Sequence, residues 1–264
     1  KADLLESNKL IQLTKGCHSV YHLSANADVR FGLEHPKKDL ENNTIATFNL
    51  LEAMRSNDCR KIFFSSTGSV YGEAAVIPTP EDAPFPVQTS LYGASKLACE
   101  GLISSYHEGF DFECHIFRFV SILGKRYTHG HVYDFYKQLK EHPNELNVLG
   151  NGLQKKSYLH IEDCINAILK IKDSNQKFSI TNLGHDEYCE VKDSVKWICD
   201  ELNVQPKLNF EDKERGWIGD NPFIHLDNKK LRSLGWEPKY SIEESVRQTV
   251  RFLESNEWVF EERK

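Results

Sequence analysis

An α/β fold is what the sequence predicts: a doubly wound parallel sheet with a smaller C-terminal lobe woven into it. Two observations carry this. Two strand–helix–strand passages follow one another between residues 19 and 122, and such passages build a parallel sheet with helices on both faces. Past Gly124 the pattern turns to loops and shorter helices, with no clean linker between the two parts.

The elements follow in order. Residues 19–24, Ser19-Val20-Tyr21-His22-Leu23-Ser24, read as a short buried strand that runs into a polar loop. Leu40, Ile45, Phe48, Leu51 and Met54 recur near helical spacing and predict a helix from about Pro36 to Arg55. Lys61 to Ser66 is a continuous apolar run that ends in hydroxyls, the pattern of a buried strand. Pro78, Pro80, Pro84 and Pro86 then rule out a regular element and suit a loop over a site. Thr89 and Ser90 can cap a helix over about 91–108. Glu113 to Ile122 reads as one strand, and Lys177 to Leu183 as another. Helices are expected at 132–141, 162–172, 190–202 and 242–254.

Composition narrows the function. The chain has 264 residues, 39% of them hydrophobic, which is ample for a packed core. Its net charge of −6 argues against a general nucleic-acid binder, which is usually basic. Seven cysteines are scattered without any Cys-x-x-Cys, so buried free thiols are expected rather than disulfides or a metal site. Thr128-His129-Gly130-His131 reads as a loop for the same reason, with no nearby set of ligands. No apolar run approaches the ~20 residues that span a bilayer. No signal-peptide pattern opens the chain, and a cytoplasmic location is expected.

The chemistry centres on Tyr92-Gly93-Ala94-Ser95-Lys96. Tyr-x-x-x-Lys also occurs at Tyr133/Lys137, Tyr136/Lys140 and Tyr188/Lys192, where it reads as a helix-surface pair. Only Tyr92/Lys96 follows a strand that delivers a hydroxyl, Thr67, at its carboxyl end, where parallel sheets bind ligands. Tyr92 and Lys96 stand at i and i+4 and share a helix face. Free tyrosine titrates near ~10, and an adjacent ammonium is expected to lower that value. Thr67 can bond both the phenol and a substrate hydroxyl. The set suits removal of a proton from an alcohol as hydride leaves to NAD(P).

Here the sequence resembles the NAD-dependent epimerase/dehydratase family of extended short-chain dehydrogenases/reductases. It is most similar to the nucleotide-sugar 4-epimerases, the UDP-glucose 4-epimerase group. The matching segments include Val20-Tyr21-His22-Leu23-Ser24-Ala25, Asn43-Thr44-Ile45-Ala46-Thr47-Phe48, Ser65-Ser66-Thr67 through Val70-Tyr71-Gly72, and Ser90 to Lys96. Gly150 to His160 and Leu234-Gly235-Trp236-Glu237-Pro238 follow. The resemblance implies a Rossmann-type fold, with NAD bound by 1–128 and 159–184 and the nucleotide sugar by 129–158 and 185–264. It places Asp3 and Leu4 beside the adenine, and Leu23, Ser24, Ala25, Asn43, Ser65 and Phe119 along the cofactor cleft. Lys96 would also bond the nicotinamide ribose beside Tyr92. The family's Gly-rich phosphate loop does not occur between Lys1 and Lys264 and is expected upstream of Lys1. A homodimer through helices at about 37–55 and 91–108 is implied as well.

On the substrate side the resemblance puts Lys156 and Arg215 at the diphosphate, Asp220 at the ribose hydroxyls, and His131 and Val132 at the rim of the diphosphate site. Ser121 stands where 4-epimerases often carry an Asn that touches the sugar. The 4,6-dehydratases of the family carry an Asp-Glu pair after the catalytic Thr, and its decarboxylases a Glu at the second position. Gly68 and Ser69 occupy those places here. Loss of water needs a proton donor that neither residue supplies. Oxidation to a 4-keto sugar and return of the hydride to the other face needs only Thr67, Tyr92 and Lys96. Two alternatives stand beside epimerisation: a dehydratase or reductase on the same scaffold, and a dinucleotide-sensing protein without catalysis.

Overall fold

Buried runs of alternating faces generate the central sheet. The computed structural model describes residues 1–261 apart from 28, 86, 215 and 217–222. In chain order the first elements are α1 (Ser7–Leu13), β1 (Val20–His22), α2 (Val29–Glu34) and α3 (Pro36–Asp39). A π-helical segment, Leu40–Ile45, joins α3 to α4 (Ala46–Ser56). β2 (Lys61–Thr67), a 3-10 turn (Gly68–Tyr71), α5 (Leu91–Phe110) and β3 (Glu113–Phe119) follow. β1, β2 and β3 pair in parallel, and the strand Phe178–Leu183 completes a four-stranded sheet next to β3.

The two faces of this sheet differ. Ile62 and Phe64 of β2 and Cys114 and Ile116 of β3 pack with Leu51 and Met54 of α4 and Cys99 and Ile103 of α5. The opposite face carries a ladder of rings. Tyr21 stacks on Phe63 at 4.5 Å, Phe63 on His115 at 5.0 Å, and Phe117 on Phe119 at 6.3 Å. Strands buried on both faces read as unbroken apolar runs, which is why β2 was legible without alternation.

The chain forms two compact units. The first comprises Lys1–Phe119 with Lys170–Asn182, the second Val120–Leu169 with Leu183–Lys264. They are of equal length, so the second is not the smaller lobe expected. The divisions also fall elsewhere than 128, 159 and 184. The reason lies at Val120. The single strand expected over Glu113–Ile122 breaks there, and Ser121–Leu123 pairs with Tyr158–His160 instead of extending β3 in the sheet.

In the second unit three amphipathic helices, His131–Glu141, Val191–Leu202 and Ile242–Ser255, bury Val132, Phe135, Val195, Ile198, Val246 and Val250 in one core. Ser241 caps the last helix by accepting from the Glu244 amide at 3.2 Å. The turn at Gly235 is held by Asp163, which is fully buried. Its carboxylate accepts from the amides of Lys239 and Tyr240 at 3.0 and 3.2 Å, and its carbonyl from the Trp236 indole at 3.1 Å. Five cysteines are buried, Cys199 is half-buried and Cys17 exposed. Among the described residues no helix is long and apolar enough to cross a membrane.

Ile116 is fully buried between β2, α4 and α5. Ile116→Ala is expected to destabilise the protein by about 2–5 kcal/mol, read as a lowered urea midpoint. A change below about 1 kcal/mol would mean that this face of the sheet is loosely packed.

Candidate active site

Thr67 ends β2, and its hydroxyl caps the 3-10 turn by accepting from the Ser69 amide at 3.1 Å. Its hydroxyl donates to Ser69 Oγ at 3.2 Å, and the side chain lies near enough to the Tyr92 phenol to favour its charged form. α5 begins at Leu91, and the Ser90 hydroxyl caps it by accepting from the Gly93 amide at 3.0 Å. Gly93 lets this first turn approach the 3-10 turn closely. A Cβ there would stand 2.9 Å from the Ser69 carbonyl oxygen. The first turn of α5 thereby sets half-buried Tyr92 beside Thr67.

Lys96 follows one turn later and is almost wholly buried. Its ammonium lies 4.3 Å from the centre of the Phe64 ring, and no hydrogen-bond acceptor among the described residues reaches it. Burial pushes its pKa down to about 8, against the pull of Cys99 and Glu100. Burial likewise pushes the Tyr92 phenol up to about 12, with Asp39 and Cys99 in the same sense and Thr67 opposing. The lowered phenol expected from the Tyr92/Lys96 spacing is therefore not found in the chain itself. Loss of hydration is the largest cause, and the Lys96 ammonium sits over Phe64.

The remaining cofactor candidates gather at the same end of the first unit. Asn43 lies in the π-helical segment, a distortion that redirects side chains and is frequent at functional sites. It is buried, accepts from the Asn26 amide at 2.7 Å and donates to Ser95 Oγ at 2.8 Å. Ser95 in turn donates to the Tyr92 carbonyl at 2.8 Å. Asn43 thus braces α5 from behind. Leu23 and Ser24 are exposed and Ala25 half-buried, just past the end of β1. Ser65 donates to the His22 carbonyl at 3.2 Å, and half-buried Phe119 is the register partner of Thr67. Asp3 is exposed and accepts from the Leu5 amide at 2.9 Å, and the Leu4 carbonyl accepts from Asn49 at 3.1 Å.

The substrate candidates of the second unit fare unevenly. His131 opens its helix with both ring nitrogens engaged, by Ser194 at 2.6 Å and Tyr158 at 3.1 Å. Burial, aided by Lys156, lowers its pKa to about 3, so it stays neutral. The Val132 side chain is fully buried in the core, which leaves its backbone amide in the first helical turn to meet a ligand. Ser121 is exposed and Lys156 half-buried. Arg215 and Asp220 lie outside the described residues. Sequence reasoning missed His22, whose ring bonds Thr47 at 2.8 Å. Its pKa falls to about 3 through burial and the charge of Lys96.

Comparison with known proteins fixes the family. The model of the NAD dependent epimerase/dehydratase family matches residues 1–184. The chain belongs to this family. The UDP-glucose 4-epimerase of Corynebacterium glutamicum is 28% identical over 261 residues, 93% of this chain and 76% of that protein. The GDP-mannose 3,5-epimerase of Arabidopsis thaliana is 26% identical over 272 residues, 95% of this chain and 69% of that one. Among solved structures, a UDP-galactose 4-epimerase matches with a TM-score of 0.87 at 32% identity, covering 97% of this chain and 83% of its own. The UDP-glucuronic acid 4-epimerase from Bacillus cereus, solved with UDP-glucuronic acid and NAD, matches with a TM-score of 0.87 at 25% identity, covering 96% and 80%.

NAD is the cofactor of this family, and the residues fit it. A buried ammonium that no acceptor among the described residues reaches is suited to the paired hydroxyls of a ribose. Lys96 would hold that ribose, with Tyr92 and Thr67 facing the reacting carbon.

The buried lysine makes stability depend on pH. Folded, Lys96 loses its proton near pH 8; unfolded, only near its ordinary 10.5. Between these values the unfolded chain binds the extra proton, so folding stability rises with pH. From pH 7 to pH 10 the stability difference between wild type and Lys96→Met, read from urea midpoints, should shift toward wild type by about 2 kcal/mol. No shift would mean that the ammonium is as well solvated as in the unfolded chain, and a shift of opposite sign that an anion holds it in its charged form.

Proposed function

We propose that the chain epimerises a nucleotide sugar, a UDP-hexose at C4, by transient oxidation to a 4-keto intermediate. The observation that carries this is the sequence Thr67-Gly68-Ser69, which sets a hydroxyl near Tyr92 and no acid at either of the two positions that follow it. Tyr92 takes the proton of the sugar hydroxyl and later returns it. Thr67, already oriented by the Ser69 amide, holds that hydroxyl against the phenol. Lys96 contributes positive charge behind the phenol and a hydrogen bond to the cofactor ribose. NAD, when bound, accepts the hydride that leaves the carbon and gives it back. In this reading the first unit binds the cofactor and the second the nucleotide sugar, through Lys156, Arg215 and Asp220.

Ile45 and Phe48 are exposed along the π segment and α4, and Leu91 at the start of α5. They support a homodimer built on these helices. Ile103 does not contribute, since it is fully buried in the core.

The test incubates the protein with UDP-glucose, UDP-N-acetylglucosamine and UDP-glucuronate, each without added cofactor. The expected result is a new nucleotide sugar of unchanged mass. Tyr92→Phe should slow its formation by about 10²–10⁴-fold. A product lighter by water or carbon dioxide would make the chain a dehydratase or decarboxylase and overturn the use made of Gly68 and Ser69. Stoichiometric change in the redox state of NAD would make it a reductase.

A further inference from the structure

The proposed chemistry needs the Thr67 hydroxyl held in register with Tyr92 and Lys96, which stand on a different element. Behind these residues lies a buried polar network that the reaction does not use. Arg118 on β3 is at its centre and is 1% exposed. Its Nε and Nη2 grip both oxygens of Glu100 at 2.7 to 3.3 Å. Glu100 is one turn beyond Lys96 on α5, and it also accepts from the hydroxyl of Ser66, the neighbour of Thr67. The other edge of the guanidinium faces away from this pair. There Nη1 donates to the Tyr71 hydroxyl at 2.6 Å and to the Glu81 carbonyl at 2.9 Å. Tyr71 ends the 3-10 turn that Thr67 opens, and it donates to Asn182 at 2.9 Å. Asn182 returns an amide hydrogen bond to the Glu81 carboxylate, also at 2.9 Å.

An ion pair buried this deeply is not needed for stability, since apolar side chains of like volume often serve as well. What it supplies is geometry. The guanidinium is a rigid planar fork, and its donors point in fixed directions. One edge joins the end of β2 to α5. The other joins the turn after Thr67 to the loop around Glu81. Ser66 adjoins Thr67 in β2, Glu100 is one turn from Lys96 on α5, and Tyr71 ends the turn that follows Thr67.

We propose that Arg118 is a positioning residue for the reaction: through Glu100 and Ser66 it locks the end of β2 onto α5, and through Tyr71 and Glu81 it locks the turn that follows Thr67. The inference rests on the reading of Thr67, Tyr92 and Lys96 as the reacting set.

Two variants test it. Tyr71→Phe keeps the ring and removes the hydroxyl shared by Arg118 and Asn182. Arg118→Lys keeps the charge and loses the fork. Each is assayed with whichever of UDP-glucose, UDP-N-acetylglucosamine and UDP-glucuronate the wild type converts, and by hydrogen–deuterium exchange. The expected result is a kcat lower by about tenfold or more, with KM within about threefold, because a misplaced hydroxyl costs rate more than binding. Amides of residues 68–81 should exchange faster while those of β3 stay protected. A kcat within twofold of wild type, with only a lower melting temperature, would overturn the proposal and leave Arg118 a structural residue. Faster exchange spread evenly over the first unit would overturn it as well. If the wild type converts none of the three sugars, the epimerase reading is what fails. Exchange then decides alone: local acceleration supports the tether, and even acceleration overturns it.

Discussion

How closely α5 lies against the end of β2 governs the candidate site. The contact is apolar at its base, where Ile62 and Phe64 meet Cys99 and Ile103. It is polar at its top, where Thr67 meets Tyr92. Gly93 marks the tightest approach, since any side chain there would press on the Ser69 carbonyl. The Ser90 cap fixes where the helix starts and therefore which residue stands opposite Thr67. Asn43 and Ser95 brace the same turn from the other side. Few of these contacts are strong singly, but they converge on one helical turn.

That closeness has an electrostatic consequence. Burial drives both groups toward their neutral forms, the phenol protonated and the lysine ready to lose its proton near pH 8. Left to itself the chain therefore opposes the base chemistry proposed for Tyr92. The attraction that brings a phenol down has to come from a further cation close by, and an oxidised nicotinamide is one.

Much of this was legible in the sequence. The apolar run into Ser65-Ser66-Thr67 announced a strand with a hydroxyl at its end, and it is β2. Ser90 was recognisable as a cap and Tyr92/Lys96 as one helix face. The break at Val120 was not, because Glu113 to Ile122 carries no Gly, Pro, Asn or Asp and periodicity does not say which partner a strand takes. The short strands Lys155–Lys156 and Cys189–Glu190 are two residues long and leave no pattern at all. Nor does spacing reveal burial: Val132 reads as a helix residue near a ligand loop but is spent on the core. Arg118 is a single arginine within the run of β3. Its partners lie 18 to 47 residues away in sequence, so nothing local identified them.

The order in which the chain visits its two units bears on how it is made. The strand Phe178–Leu183 belongs to the sheet of the first unit, yet it is synthesised after residues 120–169, which belong to the second. On the ribosome, β3 therefore waits with one edge unpaired while the chain emits part of the other unit. Asn182, which receives the Tyr71 hydroxyl, arrives in that same late segment. The residues proposed to react are all in place by Lys96, but the scaffold that steadies them closes only when the nascent chain has passed residue 182. An unpaired strand edge invites association with other chains, so the stretch between residues 120 and 180 is where a chaperone would shield β3.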